Sequence, residues 1–242
     1  MKKRTVKVAV HKVFGIDASG NQTVPSHFPA MNDLEDYLNE VYGRQTNTFF
    51  QCVAYDEKGP AGTGIDFDFA NGTSDKWISY QISDPEVQAL TLNPKSVGGS
   101  NATANIDIWV FGGGVRIADS ARSYYGYQIG AVFEGKILID GDLLGNQSAA
   151  DQQAKMLLAI FAHEIGHVMV GQGHPDEGGG KSVLNWKLSV SGMKYQRDPR
   201  NNKRLMCSGM PSNLSNPSKQ LIKKEWDLIE AWLKKQEDDG KL

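Results

Sequence analysis

The chain has 242 residues, 40% apolar and 22% charged, the balance of a globular protein with enough core for one domain and its elaborations. Its 26 basic and 28 acidic side chains leave a formal charge of −2, so no broad field recruits nucleic acid or an anionic membrane surface, and specificity must reside in a local site. The two cysteines, Cys52 and Cys207, allow one disulfide at most and exclude a cysteine framework or a Cys-rich zinc knuckle.

The opening "MKKRTVKVAVHKVFG" has a basic head, but charged and apolar residues then alternate where a secretory leader needs an apolar run. It reads as a first strand over residues 4–14, with no signal peptide. "MNDLEDYLNEVYG" repeats Met31, Leu34, Leu38, Val41 and Tyr42 at helical spacing, with Gly43 as its stop. "TFFQCVAYD" is β-branched and aromatic, a second strand, and "KWISYQIS" adds a strand or hairpin between the loops at residues 59–64 and 93–100. Alternation in "NIDIWVFGGG" marks a third strand, and "YQIGAVFEGKILIDGD" two short strands joined at Glu134 and Gly135.

From Ser148 or Asp151 onward, Ala154, Leu157, Leu158, Phe161, Ile165 and Val168 share one face of a long helix. Its apolar stretch, residues 156–170, is broken by His163, Glu164 and His167 and falls short of the ~20 residues that span a bilayer, so no membrane insertion is expected. After Gly171 some forty residues are loop-like. A terminal helix follows behind a Ser218 cap, with Leu221, Ile222, Leu228, Ile229, Trp232 and Leu233 in one stripe. His11 and His27 read as surface or strand residues.

Chemistry concentrates in "HEIGHVMVGQGH", residues 163–174. His163 and His167, four apart on a helix, lie one turn apart on one face, so both imidazoles can meet one ion. Glu164 lies about 100° round the helix from His163, where its carboxylate can take a proton from a metal-bound water. A catalytic zinc needs a third protein ligand, and His174, past the turn at Gly171, is the candidate.

The segment resembles the metzincin zinc peptidases, whose signature is HExxHxxGxxH followed by a methionine-containing turn. Here Val168, Met169 and Val170 stand between His167 and Gly171 where the signature has two residues, so its third-ligand slot falls on Gly173. Glycine has no ligating side chain; a bulge or a relaxed turn over residues 171–173 brings His174 into reach, with Asp176 as the alternative ligand. The resemblance implies an α/β zincin, a twisted, mostly parallel sheet with an antiparallel edge strand, an active-site helix and a C-terminal helix. It implies one catalytic domain, with an upper part of about residues 1–172 and a lower part of about 173–242. It also implies a substrate that pairs with the edge strand at residues 128–133, through Ile129, Gly130, Ala131 and Val132. Met206 is the choice for the methionine turn, ahead of Met193 and Met210, and no tyrosine follows it to assist the metal.

The expected function is thus zinc-dependent hydrolysis of protein or peptide substrates, with Glu164 as general base. The alternatives are a catalytically inactive zinc-bearing binding or toxin-like module, and a structural zinc protein closed by Cys207 as a fourth ligand. Calcium could sit at Asp66, Asp68 and Asn71, or at Asp140 and Asp142, although neither group has EF-hand spacing. Cys207 reads as a small buried residue, with a Cys52–Cys207 disulfide as the lesser reading. Secreted or periplasmic localisation is expected only through the family.

Overall fold

The computed structural model describes residues 2–16, 22–58, 78–79, 95–98, 103–111, 115–116, 123–124, 126–128, 135–141, 150–171, 205–206 and 219–242. Its centre is a sheet in the order β3–β1–β5–β9–β8, formed by β1 (Arg4–Ile16), β3 (Thr48–Lys58), β5 (Ile106–Phe111), β8 (Gly126–Gln128) and β9 (Lys136–Asp140). The first four are mutually parallel, and β8 lies antiparallel on β9 at the edge. β2 (Gln22–Thr23) folds back on the end of β1, while β4 (Ile78–Ser79), β6 (Val115–Arg116) and β7 (Ser123–Tyr124) make a small second sheet. This is an α/β fold with an antiparallel edge strand, as the sequence led us to expect.

Strand alternation divides the sheet into two faces. Val6, Val8 and Val10 of β1 share one face with Phe50, Cys52, Ile106, Ile108, Ile137 and Ile139, and pack in one core with three helical elements. These are α1 (Met31–Leu38), α3 (Ala150–Val170) and α4 (Lys223–Asp238). β5 is buried at all six positions, as a central parallel strand covered on both faces must be. The turn into β9 needs its glycine: Gly135 has φ +82°, and a Cβ there would overlap the carbonyl oxygen of Asn105. Cys52 is a free, buried thiol, and burial raises its pKa.

Two boundaries differ from the sequence reading. Gly43 does not stop the first helix, which passes through a π-helical turn (Asn39–Gly43) into α2 (Arg44–Thr46) and ends at Asn47 in the left-handed region, φ +54°. Asparagine tolerates that conformation, and Gly43 stays helical with Phe49 close beside it. The terminal helix begins at Lys223 with Ile222, not Ser218, at its N-cap position, and the Glu225 carboxylate in its first turn accepts from the backbone N–H of Ile222 at 2.8 Å; Ser218 lies outside the described residues. The outer edge of β3 is also partly occupied: Glu35 and Asn39 accept from the amides of Cys52 and Phe50 at 2.7 and 2.9 Å.

His11 lies on a strand, one of the two readings its sequence allowed, but its burial was not foreseen. It is fully buried on the face turned away from the helical core, stacked on Trp109 at 4.8 Å and beside Tyr55 at 5.6 Å. Its two ring nitrogens donate to carboxylates on the flanking strands, Nδ1 to Glu57 at 2.8 Å and Nε2 to Asp107 at 2.9 Å, which requires the imidazolium form. Lys95 adds a second cation 3.2 Å from Glu57. His27 lies in a loop, with its ring between the Gly141 carbonyl and Gln153.

Burial opposes charging His11, but its hydrogen bonds to Asp107 and Glu57 and their charges outweigh this and raise its pKa above the ordinary 6.5. Burial likewise pushes Glu57 up, and His11 with Lys95 brings it below its usual 4.5. A raised histidine contributes stability that is full below its unfolded pKa and lost as pH rises through the folded value. A depressed glutamate contributes stability present above its unfolded pKa and lost as pH falls through the folded one. The cluster is therefore most stabilising between about pH 4.5 and 6.5. His11→Gln is expected to cost about 3–5 kcal/mol at pH 5.5, because the buried Asp107 carboxylate loses its cation and the half-buried Glu57 is left with Lys95 alone, and clearly less at pH 9. Urea unfolding of parent and variant at both pH values checks this; a difference independent of pH contradicts it.

Candidate metal centre

Helix α3 carries the histidines because its apolar residues face the sheet and α4 while residues 163–167 come to its end, next to Gly171. His163 is partly exposed and His167 is buried. Their rings stand perpendicular, 89° apart, and meet edge to face with Nε2 to Nε2 at 3.0 Å.

The other two ring nitrogens determine what that approach means. His163 Nδ1 lies 2.6 Å from the Leu205 carbonyl oxygen, and His167 Nδ1 lies 2.9 Å from that of Gly171. A carbonyl oxygen only accepts, so each Nδ1 carries a proton and donates it. In the neutral tautomer each Nε2 then carries a lone pair, and two lone pairs facing one another need a positive charge between them. Two imidazoles on a tetrahedral zinc at 2.0–2.1 Å would have nitrogens about 3.3 Å apart, close to the observed spacing. Backbone carbonyls that accept from the outer ring nitrogen are also the usual partners of metal-ligating histidines. The donor set therefore fits zinc.

Both carbonyls are held. Gly171 leaves the helix with φ +105°, a glycine conformation that lets its N–H donate to the His167 carbonyl at 2.9 Å while its own oxygen turns back to the imidazole. Leu205 donates its N–H to the Gln220 carbonyl at 3.1 Å, and Gln45 grips the same segment through the Lys219 carbonyl and the Leu221 amide at 2.7 and 3.0 Å. Met206 follows, fully buried, with its thioether against Gly166 on the turn between the two histidines.

Glu164 is buried, and burial alone pushes its carboxyl up to about 8. A cation held by the neighbouring histidines would favour the charged form and oppose that shift. No set of three or more ligating side chains with metal-binding geometry is assembled among the described residues. His174 and Asp176 lie outside them, as do Ile129, Gly130, Ala131, Val132, Met193, Cys207, Met210, Asp66, Asp68, Asn71 and Asp142. Of the expected edge strand, β8 reaches Gln128. Among the described residues no helix is long and apolar enough to cross a membrane.

The sequence reading missed the Leu205 and Gly171 carbonyls, since a backbone acceptor has no residue identity, although the glycine itself was a signal. Gly166 and Tyr42 were also missed. A Cβ at Gly166 would overlap the Met206 sulfur and stand 3.0 Å from the Tyr42 hydroxyl oxygen.

The class thus defined is an α/β protein with a paired-imidazole centre on a helix packed against a mostly parallel sheet. Its fold is similar to the crystal structure of archaemetzincin from Methanopyrus kandleri, at 12% identity over 95% of this chain and 96% of that one, with a TM-score of 0.53. A zinc-dependent peptidase from Methanocorpusculum labreanum is less similar, at 13% identity over 92% and 99% of the two chains, with a TM-score of 0.47. At such identities the likeness is one of fold. No family model and no curated protein sequence matches the chain.

Gly166→Ala tests the close packing under the site. Alanine brings up to about 1 kcal/mol of helix propensity, but its methyl meets a buried sulfur on one side and a buried hydroxyl on the other. A net loss of about 1–2 kcal/mol is expected in urea unfolding. A variant as stable as the parent contradicts the packing.

Proposed function

We propose that the chain is a zinc-dependent endopeptidase of metzincin type. The observation that carries this reading is the convergence of His163 and His167 Nε2 at 3.0 Å, with both Nδ1 protons tied to backbone carbonyls. The fold likeness to an archaemetzincin and the HExxH spacing support it. His174 completes the ligand set, Asp176 being the alternative, and Met206 is the methionine of the turn beneath the histidines. Protein or peptide substrates lie along residues 129–132, in a cleft between the upper part of a single domain, about residues 1–172, and the lower part, about 173–242. Secretion or periplasmic residence belongs to the same reading.

Zinc bound there supplies Lewis acidity to a peptide carbonyl and to water. The remaining steps fall to the chain. The Nδ1 protons of His163 and His167, bonded to backbone carbonyls, fix the tautomer of each neutral ring that presents Nε2 as the ligating atom. Glu164 takes the proton of the attacking water on a carboxylate oxygen and hands it to the leaving amine nitrogen. Its burial keeps bulk water from competing for that proton.

Glu164→Ala is expected to retain one zinc per chain and to lose peptide hydrolysis by about 10²–10⁴-fold, since the residue moves a proton and does not hold the ion. Zinc analysis with a peptide-cleavage assay measures both; cleavage at the parent rate removes Glu164 from the mechanism. If the parent binds zinc tightly and cleaves nothing, the inactive binding module replaces the enzyme. In the same assay His174→Ala should weaken zinc binding far more than Asp176→Ala, and the reverse order would transfer the ligand role to Asp176.

A further inference from the structure

We infer that Tyr42 is a positioning residue for the histidine pair: its hydroxyl, bonded to the Ala162 carbonyl through the notch at Gly166, fixes the roll of the helical turn that presents His163 and His167. This rests on the zinc reading above. Tyr42 lies in the π-helical turn (Asn39–Gly43), which inserts an extra residue into the helical repeat and changes the direction of every side chain after it. Its ring is fully buried and packs on Phe50 at 5.4 Å. Its hydroxyl donates to the Ala162 carbonyl at 2.5 Å. Burial holds the phenol well above its ordinary range, so it remains a donor.

Ala162 immediately precedes His163, and within an α-helix its carbonyl already accepts from the amide of Gly166. The phenol is therefore a second donor on an oxygen that does not need one for its own satisfaction. It can reach that oxygen because residue 166 is a glycine: a Cβ there would stand 3.0 Å from the hydroxyl. On the other side of the same glycine lies the Met206 sulfur. The turn bearing both imidazoles is thus gripped at Ala162 and Gly166 by Tyr42 from the first helix and by Met206 from the returning chain. A rotation of that turn would swing the two Nε2 atoms, 3.0 Å apart, away from their common point. Partners that orient metal ligands from outside typically carry a 10–100-fold share of metal affinity when removed.

Cobalt(II), whose visible spectrum reports coordination geometry, is titrated into metal-free parent, Tyr42→Phe and, as a core truncation on the same helix, Leu34→Ala. Tyr42→Phe keeps the ring and leaves the Ala162 carbonyl bonded to Gly166, so a purely structural hydroxyl would leave cobalt binding unaltered. The expected result is at least about a 10-fold weaker dissociation constant for Tyr42→Phe with a shifted visible band. Leu34→Ala should lower the unfolding midpoint and change neither. If Tyr42→Phe matches the parent in affinity and spectrum, or Leu34→Ala weakens cobalt equally, the positioning role is wrong while the zinc reading stands. A parent that takes up no cobalt overturns both. If Tyr42→Phe does not fold, Gly166→Ala placed in a Met206→Ala background, where the sulfur is gone and the methyl presses on the hydroxyl, is compared with Met206→Ala alone and carries the same readout with the same two outcomes.

Discussion

Two imidazole nitrogens facing each other at 3.0 Å are a repulsive arrangement unless a positive charge lies between them. Much of the described structure serves to keep them there. The Nδ1 protons are spent on the carbonyls of Leu205 and Gly171, so neither ring can relieve the contact by changing tautomer without losing a bond it already makes. Gly171 supplies its carbonyl by leaving the helix in a conformation other residues rarely adopt. Leu205 supplies its own because Gln220 and Gln45 anchor the returning chain.

The sheet contributes by separating its faces. Along β1, Val8 and Val10 point into the helical core, whereas His11, one residue on, points the other way into a cluster of Glu57, Asp107 and Lys95. The core side presses α3 against the sheet with Phe161 and Ile165, fully buried residues on either side of the His163–Glu164 step. The far side ties β3, β1 and β5 together through one buried cation between two carboxylates. A buried ion set of this kind is weak evidence for added stability; its clear consequence is that removing one member leaves the others uncompensated.

What the sequence disclosed follows from how far each inference had to reach along the chain. His163, Glu164 and His167 ride one helix, where spacing alone fixes relative placement, and the parallel strands declared themselves through alternation in "KVAV" and "NIDIWVF". The strand position of His11 was legible but its burial was not, because that depends on register with Glu57 and Asp107, residues 46 and 96 positions away. The first helix overran Gly43 because helix continuation there is decided by tertiary packing, a weak glycine penalty giving way to Val41 and Tyr42 in the core. The expected third ligand depends on the path of residues 172–176, which lies outside the described residues.

The central claim is that His163 and His167 share one zinc ion, and zinc K-edge X-ray absorption on protein purified without added metal tests it most directly. The account predicts a first shell containing at least two imidazole nitrogens at about 2.0–2.1 Å and no sulfur. Protein that holds no zinc and takes none up, or a first shell with sulfur at about 2.3 Å, contradicts it.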